Sequence, residues 1–202
     1  MGFKVKDHFF KKAKQDNYLA RSIYKLEEID NKYSVLKKGD LVLDLGYYPG
    51  SWVQYTVDKV GENGHVIGVD IQDVNETLNG HDRIQLYCKD INEIESLSDL
   101  GVATKFDVVL SDMAPKTTGV KSVDQARSQE LVELVFYRLK DFLQEGGNAV
   151  AKVFEGPDFG QFLANERKNF EKISLLRPKS TRSVSKEIFV IAKGYMKKAR
   201  KS

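Results

Sequence analysis

Cysteine is almost missing from this sequence. The single Cys88 excludes an intramolecular disulfide and any zinc site built from a cysteine cluster, and no metal is expected. Proline is scarce as well: four among 202 residues leave no proline-rich linker, and no repeat or low-complexity tract is present. Long apolar runs are absent. Largely apolar stretches such as residues 106–110 fall far short of the roughly 20 residues a membrane-spanning helix needs, so no membrane partner is expected. The opening MGFKVKDHFFKK carries charge without an apolar segment and does not read as a secretory signal. Lys6 stands where a myristoylation signal has Ser or Thr. Together these absences predict a cytoplasmic protein.

What is present fits one globular unit. Hydrophobic residues make up 41% and charged residues 30%, enough apolar material for a packed core in a chain of one-domain length. Net charge is only +3, but it is unevenly placed. Residues 1–14 hold five lysines against one aspartate, and residues 193–202 hold five basic residues and no acid, which leaves the stretch between them at −6. Basic ends on an acidic body suit contact with a polyanion, although solvated tails would carry the same charges. The expected layout is a basic tail over 1–15, a domain over 16–193 and a second basic tail over 194–202.

Short apolar runs alternate with amphipathic stretches, the pattern of a largely parallel sheet covered by helices on both faces. Leu19, Ile23, Leu26 and Ile29 stand at helical spacing and predict a helix over 17–30. Apolar runs predict strands over 41–45, 66–69, 84–87, 106–110 and 148–154, with a helix over 51–60 after the first. Ser122-Val-Asp-Gln125 reads as a capping box opening a long helix to about residue 143, and Gly146-Gly147 ends the connection that follows. A helix over 157–169, with Pro157 in its first turn, precedes two last strands over 171–176 and 186–192. The sum is a doubly wound α/β sheet.

Ligands of such sheets bind beyond the carboxyl ends of the strands. Strand one ends in Asp44-Leu-Gly46-Tyr-Tyr-Pro-Gly50-Ser-Trp52, whose glycines let backbone approach a ligand. The G-x-G-x-x-G fingerprint is missing, which disfavours a dinucleotide and its pyrophosphate. Asp70 ends strand two, 24 residues after Gly46, where an acid accepts both hydroxyls of an adenosine ribose. Asp90 follows strand three, and Ser111-Asp112 follows strand four. Acids at four strand ends, Asp44, Asp70, Asp90 and Asp112, suit a nucleoside with a cationic tail, such as S-adenosylmethionine. Each alone reads equally as a polar cap. Lys152 interrupts the apolar run Ala-Val-Ala-Lys152-Val-Phe, which is costly unless the lysine is paired, functional or able to snorkel to water.

These residues fall into a known pattern. Asp44-Leu-Gly46-x-x-Pro-Gly50-x-Trp52-x-Gln54-Tyr55, Ser111-Asp112-Met113-Ala114-Pro115, Lys152-Val-Phe154 and Ser185-Lys186-Glu187-Ile188 resemble the FtsJ/RrmJ family of RNA ribose 2′-O-methyltransferases. Arg21-Ser-Ile-Tyr-Lys25-Leu-x-Glu28-Ile29 resembles that family's first helix, and the likeness runs from about residue 16 to about 193. The resemblance implies a Rossmann-like methyltransferase fold whose seven-stranded sheet is parallel except for an antiparallel last strand. It implies a catalytic tetrad of Lys25, Asp112, Lys152 and Glu187. It also implies S-adenosyl-L-methionine held by Gly46, Gly50, Trp52, Asp70, Asp90 and Asp112. Members of this bare size are implicated in methylating a uridine of ribosomal RNA in the large subunit, which becomes the expected partner. Close relatives act on riboses of the tRNA anticodon loop, and the core motifs do not separate the two. No obligate protein partner is evident, and a monomer is expected.

The implied reaction is an in-line displacement, with much of its rate coming from placing the 2′-oxygen within about 3–3.5 Å of the methyl carbon. Lys152 is the expected proton acceptor or orienter. A lysine, with an ordinary pKa of about 10.4, needs a depressed value to act as a base near neutrality. Burial and Lys25 push that way, Asp112 and Glu187 push the other way, and the sequence leaves the balance open. In one division Asp112 orients Lys152 while Lys25 and Glu187 fix the ribose. RNA phosphates are expected on Lys4, Lys11, Lys12, Lys14, Arg21, Arg177, Lys179, Arg182, Lys197, Lys198, Arg200 and Lys201, contacts that position without specifying sequence.

The cofactor turn departs from the family pattern. Tyr47 and Tyr48 stand where small residues are usual, and Ser51 where glycine is common. The two rings would narrow the pocket, stack on the cofactor or point into the sheet. Narrowing motivates a rival reading, a non-catalytic RNA-binding protein on a degenerate methyltransferase fold. A small-molecule or protein N-methyltransferase would share the turn and Asp70, but it leaves Lys25, Lys152 and Glu187 unexplained.

Overall fold

The computed structural model describes residues 8–181 and 185–196. Lys4, Arg182, Lys197, Lys198, Arg200 and Lys201 lie outside the described residues. The strands are β1 (Leu41–Leu45), β2 (His65–Asp70), β3 (Ile84–Cys88), β4 (Phe106–Ser111), β5 (Leu143–Phe154), β6 (Phe170–Leu176) and β7 (Glu187–Tyr195). They form one sheet in the order β3-β2-β1-β4-β5-β7-β6. β7 runs antiparallel to both neighbours and the other pairs are parallel. The helices are α1 (His8–Gln15), α2 (Ile23–Tyr33), α3 (Ser51–Val60), α4 (Lys121–Phe142) and α5 (Phe159–Glu166). No helix among the described residues is long and apolar enough to cross a membrane.

Successive strand residues face opposite sides, so a strand covered on both faces must be apolar throughout. Leu43 and Leu45 of β1, Val109 of β4 and Ala149 and Ala151 of β5 pack under α4 and α5. Val42, Val108, Leu110 and Val150 face the other way, onto Leu26 and Ile29 of α2 and Val53 and Val57 of α3. From β1 the chain moves outward to β2 and β3, then returns to place β4 on the other side of β1. The carboxyl ends of β1 and β4 therefore flank the crevice where a doubly wound sheet binds its ligand.

Four local expectations are corrected. The helix expected over 17–30 starts at Ile23. Asn17 adopts a left-handed φ of 59°, and the Gln54 side chain of α3 takes up the Leu19 N–H and the Asn17 carbonyl, so these backbone groups serve a tertiary contact instead of a helix. The capping box at Ser122 does not form. α4 begins at Lys121, and the Asp124 carboxylate reaches back to the N–H groups of Thr118 and Gly119. Gly146 and Gly147 lie inside β5, where the register against β4 shifts, so α4 passes into the strand without a separate loop. Pro157 precedes α5, which starts at Phe159 and ends at Glu166. Helix α1 occupies part of the segment read as a basic tail.

Candidate active site

The loop after β1 lies hard against the segment after β4. Gly46 has a φ of +75°, and a Cβ there would sit 2.5 Å from the Met113 Cγ and 3.2 Å from its backbone. Gly50, at φ +113°, would bring a Cβ to 2.2 Å from the Leu78 Cδ1. Gly46 needs glycine for conformation and for space, and Gly50 for conformation. Tyr47 turns into the sheet: it is buried, its ring lies on Gly68 of β2, and its hydroxyl accepts the Asn75 N–H at 3.3 Å. Tyr48 is exposed beside Ile71 and Gln72.

Asp44, Gly46, Ser51, Trp52 and Asp112 line a small cavity between the strand ends, and Tyr47 and Tyr48 complete its wall, so both tyrosines border the pocket even though Tyr47 also packs into the sheet. Asp44 is fully buried, and neither carboxylate oxygen has a hydrogen-bond partner. Burial, reinforced by Asp112 and Asp70, drives its carboxyl well above the ordinary carboxylate range. An unsatisfied acid in a cavity with a second acid on its wall suits a ligand with positive charge. The sulfonium and ammonium of S-adenosylmethionine meet that requirement, so the residues present fit this cofactor.

The other residues expected at the cofactor have distinct places. The Trp52 indole N–H donates to the Ser22 carbonyl at 2.9 Å, and its ring packs 5.8 Å from Phe189. The hydroxyls of Ser22 and Ser51 lie 2.8 Å apart, so the starts of α2 and α3 are fastened together. The Asp70 carboxylate accepts the N–H groups of Tyr48 at 3.0 Å and Gln72 at 2.9 Å, joining the turns after β1 and β2. Asp90 is not on the cavity wall; it caps the short 3-10 turn Ile91–Glu93 and accepts from Asn92.

The β5–β7 register sets Lys152 opposite Phe189 and Phe154 opposite Glu187, so all four side chains share one face of the sheet. α2 packs on that face and supplies Lys25. The Lys25 Nζ lies 2.5 Å from the Glu187 Oε1, and the Lys152 Nζ lies 2.8 Å from the Asp112 Oδ1. Lys152 is only 9% exposed, so the Asp112 carboxylate offsets much of the cost of a charge within an apolar strand. Burial pushes the Glu187 carboxyl up, but Lys25, Lys152 and the Thr181 hydroxyl outweigh it and leave the carboxyl below its usual range. The four residues singled out by motif thus stand together as two ion pairs.

Beside them opens a cleft of about 620 Å³, lined among others by Arg21, Lys25, Lys121, Phe154, Lys186 and Glu187. Arg21, one of the expected phosphate contacts, lines it while donating to the Ser180 carbonyl. Lys12 instead rests 4.4 Å over the Tyr24 ring, and Arg177 donates to the Ser185 carbonyl. Sequence reading singled out neither Ser22 nor Lys121, since a lone serine or lysine at the start of a helix carries no pattern.

Known proteins of similar sequence and fold identify the family. The family model for FtsJ-like methyltransferases fits residues 18–195. The ribosomal RNA large subunit methyltransferase E of Bdellovibrio bacteriovorus is 46% identical over 191 residues, covering 95% of this chain and 97% of the relative. The protein of the same name from Syntrophobacter fumaroxidans is 42% identical, covering 95% and 96%. A crystal structure of a ribosomal RNA methyltransferase from Plasmodium falciparum superposes with a TM-score of 0.76 at 28% identity, covering 88% of this chain and 98% of that one. An Aeropyrum pernix fibrillarin with bound S-adenosyl-L-methionine shares the fold, with a TM-score of 0.61 at 16% identity over 78% of this chain and 68% of the fibrillarin. The chain belongs to the FtsJ-like methyltransferase family.

Proposed function

We propose that this chain transfers the methyl group of S-adenosyl-L-methionine to a ribose 2′-hydroxyl of RNA, on a uridine of large-subunit ribosomal RNA. The observation that carries the reading is the meeting of two ion pairs, Lys25–Glu187 and Lys152–Asp112, beside an open cleft and the cavity that holds Asp44. The relatives named ribosomal RNA large subunit methyltransferase E support the choice of RNA.

Asp44, Gly46 and Trp52 would hold the charged end of the cofactor, Asp70 its ribose, and Gly50 and Asp90 the shape of the surrounding turns. When bound, the cofactor supplies an electrophilic methyl group on a sulfonium. Lys152, steadied by Asp112, holds the 2′-oxygen in line and in its amine form takes the hydroxyl proton at Nζ. Lys25 and Glu187, joined across α2 and β7, fix the sugar on the opposite wall. A ribosomal RNA substrate supports action in the cytoplasm, and the protein is proposed to act as a monomer.

The test is methyl transfer from labelled cofactor to large ribosomal subunits that lack the modification. The expected product is one labelled nucleotide in the ribosomal RNA whose 3′ phosphodiester resists alkali, because a 2′-O-methyl group removes the attacking hydroxyl. Label in tRNA alone would move the substrate to tRNA, and no label in either RNA would overturn the proposal. Sedimentation equilibrium at the mass of one chain checks the monomer.

A further inference from the structure

Lys121 opens α4 on one side of the cleft, and Lys186 precedes β7 on the other. The two side chains face each other closely enough that Lys121 is the main influence holding Lys186 below the ordinary lysine range. Among the described residues neither forms an ion pair. The acids lining the same cleft are committed elsewhere: Glu187 to Lys25, and Asp124 to the N–H groups of Thr118 and Gly119. Two like charges held face to face without an anion repel each other, and an anion placed between them removes the repulsion.

The chemistry of the substrate supplies that anion. A ribose that presents its 2′-oxygen to Lys152 carries its 3′-phosphodiester on the adjacent carbon, so a phosphate must enter beside the tetrad. Asp112, Asp124 and Glu187 lie close to that route and oppose a phosphate. The first turn of α4 adds partial positive charge, since Val120 provides no side-chain cap for its amides.

We propose that Lys121 and Lys186 form a clamp for one RNA phosphodiester, the one on the 3′ side of the target ribose, and so set the 2′-oxygen in register with Lys152. The clamp rests on the RNA reading above. It is distinct from the basic ends of the chain, because it acts at the reacting nucleotide.

The experiment measures methyl transfer to unmodified large ribosomal subunits across a salt series. It compares wild type with Lys121→Gln, Lys186→Gln, the double variant and the Lys→Arg counterparts. Each glutamine variant is expected to raise KM about tenfold, to lower kcat because the 2′-oxygen loses its register, and to flatten the plot of log(kcat/KM) against log salt by about 0.7, the value of one phosphate contact to a single strand. Arginine should restore all three. A phosphate shared by both lysines predicts no further flattening in the double variant. Calorimetry should give wild-type cofactor affinity throughout, which separates loss of the clamp from loss of the fold. Unchanged KM and slope in the glutamine variants would overturn the clamp, as would twice the flattening in the double variant. If wild type ignores the subunits and methylates tRNA, the substrate reading falls, and the same series on tRNA decides the clamp.

Discussion

Lys152 is held twice by one residue: its Nζ lies 2.8 Å from the Asp112 carboxylate and 2.5 Å from the Asp112 main-chain carbonyl. The second contact ties the lysine to the end of β4 whatever side chain stands there. The segment after β4 also packs on Gly46 through Met113, so the position of Lys152 and the shape of the cofactor turn depend on the same stretch of backbone.

This double hold predicts an order of effects. Lys152→Ala should lower the single-turnover rate by about 10²–10⁴, the range for losing a general base, at unchanged cofactor affinity. Asp112→Asn removes the charge but keeps the carbonyl, so at saturating cofactor it should fall between Lys152→Ala and wild type. Quenched single-turnover assays with calorimetry decide it. If Asp112→Asn is as slow as Lys152→Ala, the carbonyl contact does not position the lysine; an undiminished rate in Lys152→Ala removes the lysine from the chemistry.

Tyr47 serves both the fold and the wall of the cofactor cavity. Its ring fills the space over Gly68, so Tyr47→Ala should cost about 3 kcal/mol of folding stability, as for other buried aromatics cut to alanine. Tyr47→Phe gives up only the hydroxyl's contact with Asn75 and should cost about 1 kcal/mol or less. Cofactor affinity should stay near wild type in Tyr47→Phe, which keeps the ring on the cavity wall, and drop in Tyr47→Ala. Urea unfolding and calorimetry on the same samples test this, and full affinity in Tyr47→Ala would mean that the ring does not shape the cofactor pocket.

Much of the fold was legible because a strand buried on both faces is apolar along most of its length, and 41–45, 106–110 and 148–154 show that pattern around Asp44, Asp107 and Lys152. The tetrad was legible because each member sits in a distinctive run of residues, and the β5–β7 register then brings Lys152 and Glu187 onto one face. What escaped depended on contacts between distant segments. The start of α2 is set by a side chain of α3, which no local pattern around Asn17 reports. The direction of Tyr47 depends on a glycine in β2, 21 positions along the chain. Lys121 and Lys186 become a pair only once α4 and β7 stand on opposite sides of one cleft.

The Glu187–Lys25 pair predicts a specific pH window. The folded Glu187 carboxyl lies below its ordinary value of 4.5, so its contribution is fully present above that value and fades as pH falls through the lower folded value. Glu187→Gln leaves the Lys25 ammonium largely buried without its acid, a loss of about 1–3 kcal/mol. The stability gap between wild type and variant should be level from pH 7 to about 5 and shrink only below that. Urea titrations at several pH values test it; a gap that narrows between pH 7 and 6 would show that another group supports the pair.

Asp44 predicts opposite changes in stability and binding. Its folded carboxyl is pushed well above the ordinary 3.8, so the unliganded fold favours the protonated form and loses stability as pH rises past the unfolded value. Asp44→Asn removes that penalty. At pH 7.5 the unliganded variant should melt at a higher temperature than wild type, and the advantage should diminish as the pH is lowered toward 4. The same change deletes the acid that faces the cofactor's charged end, so affinity for S-adenosylmethionine should drop at least about tenfold, equivalent to about 1.4 kcal/mol. Thermal melts with and without cofactor measure both effects together. A variant less stable than wild type without cofactor would mean that the carboxylate supports the fold, and a variant that binds the cofactor with full affinity would mean that the positive charge is held elsewhere in the cavity.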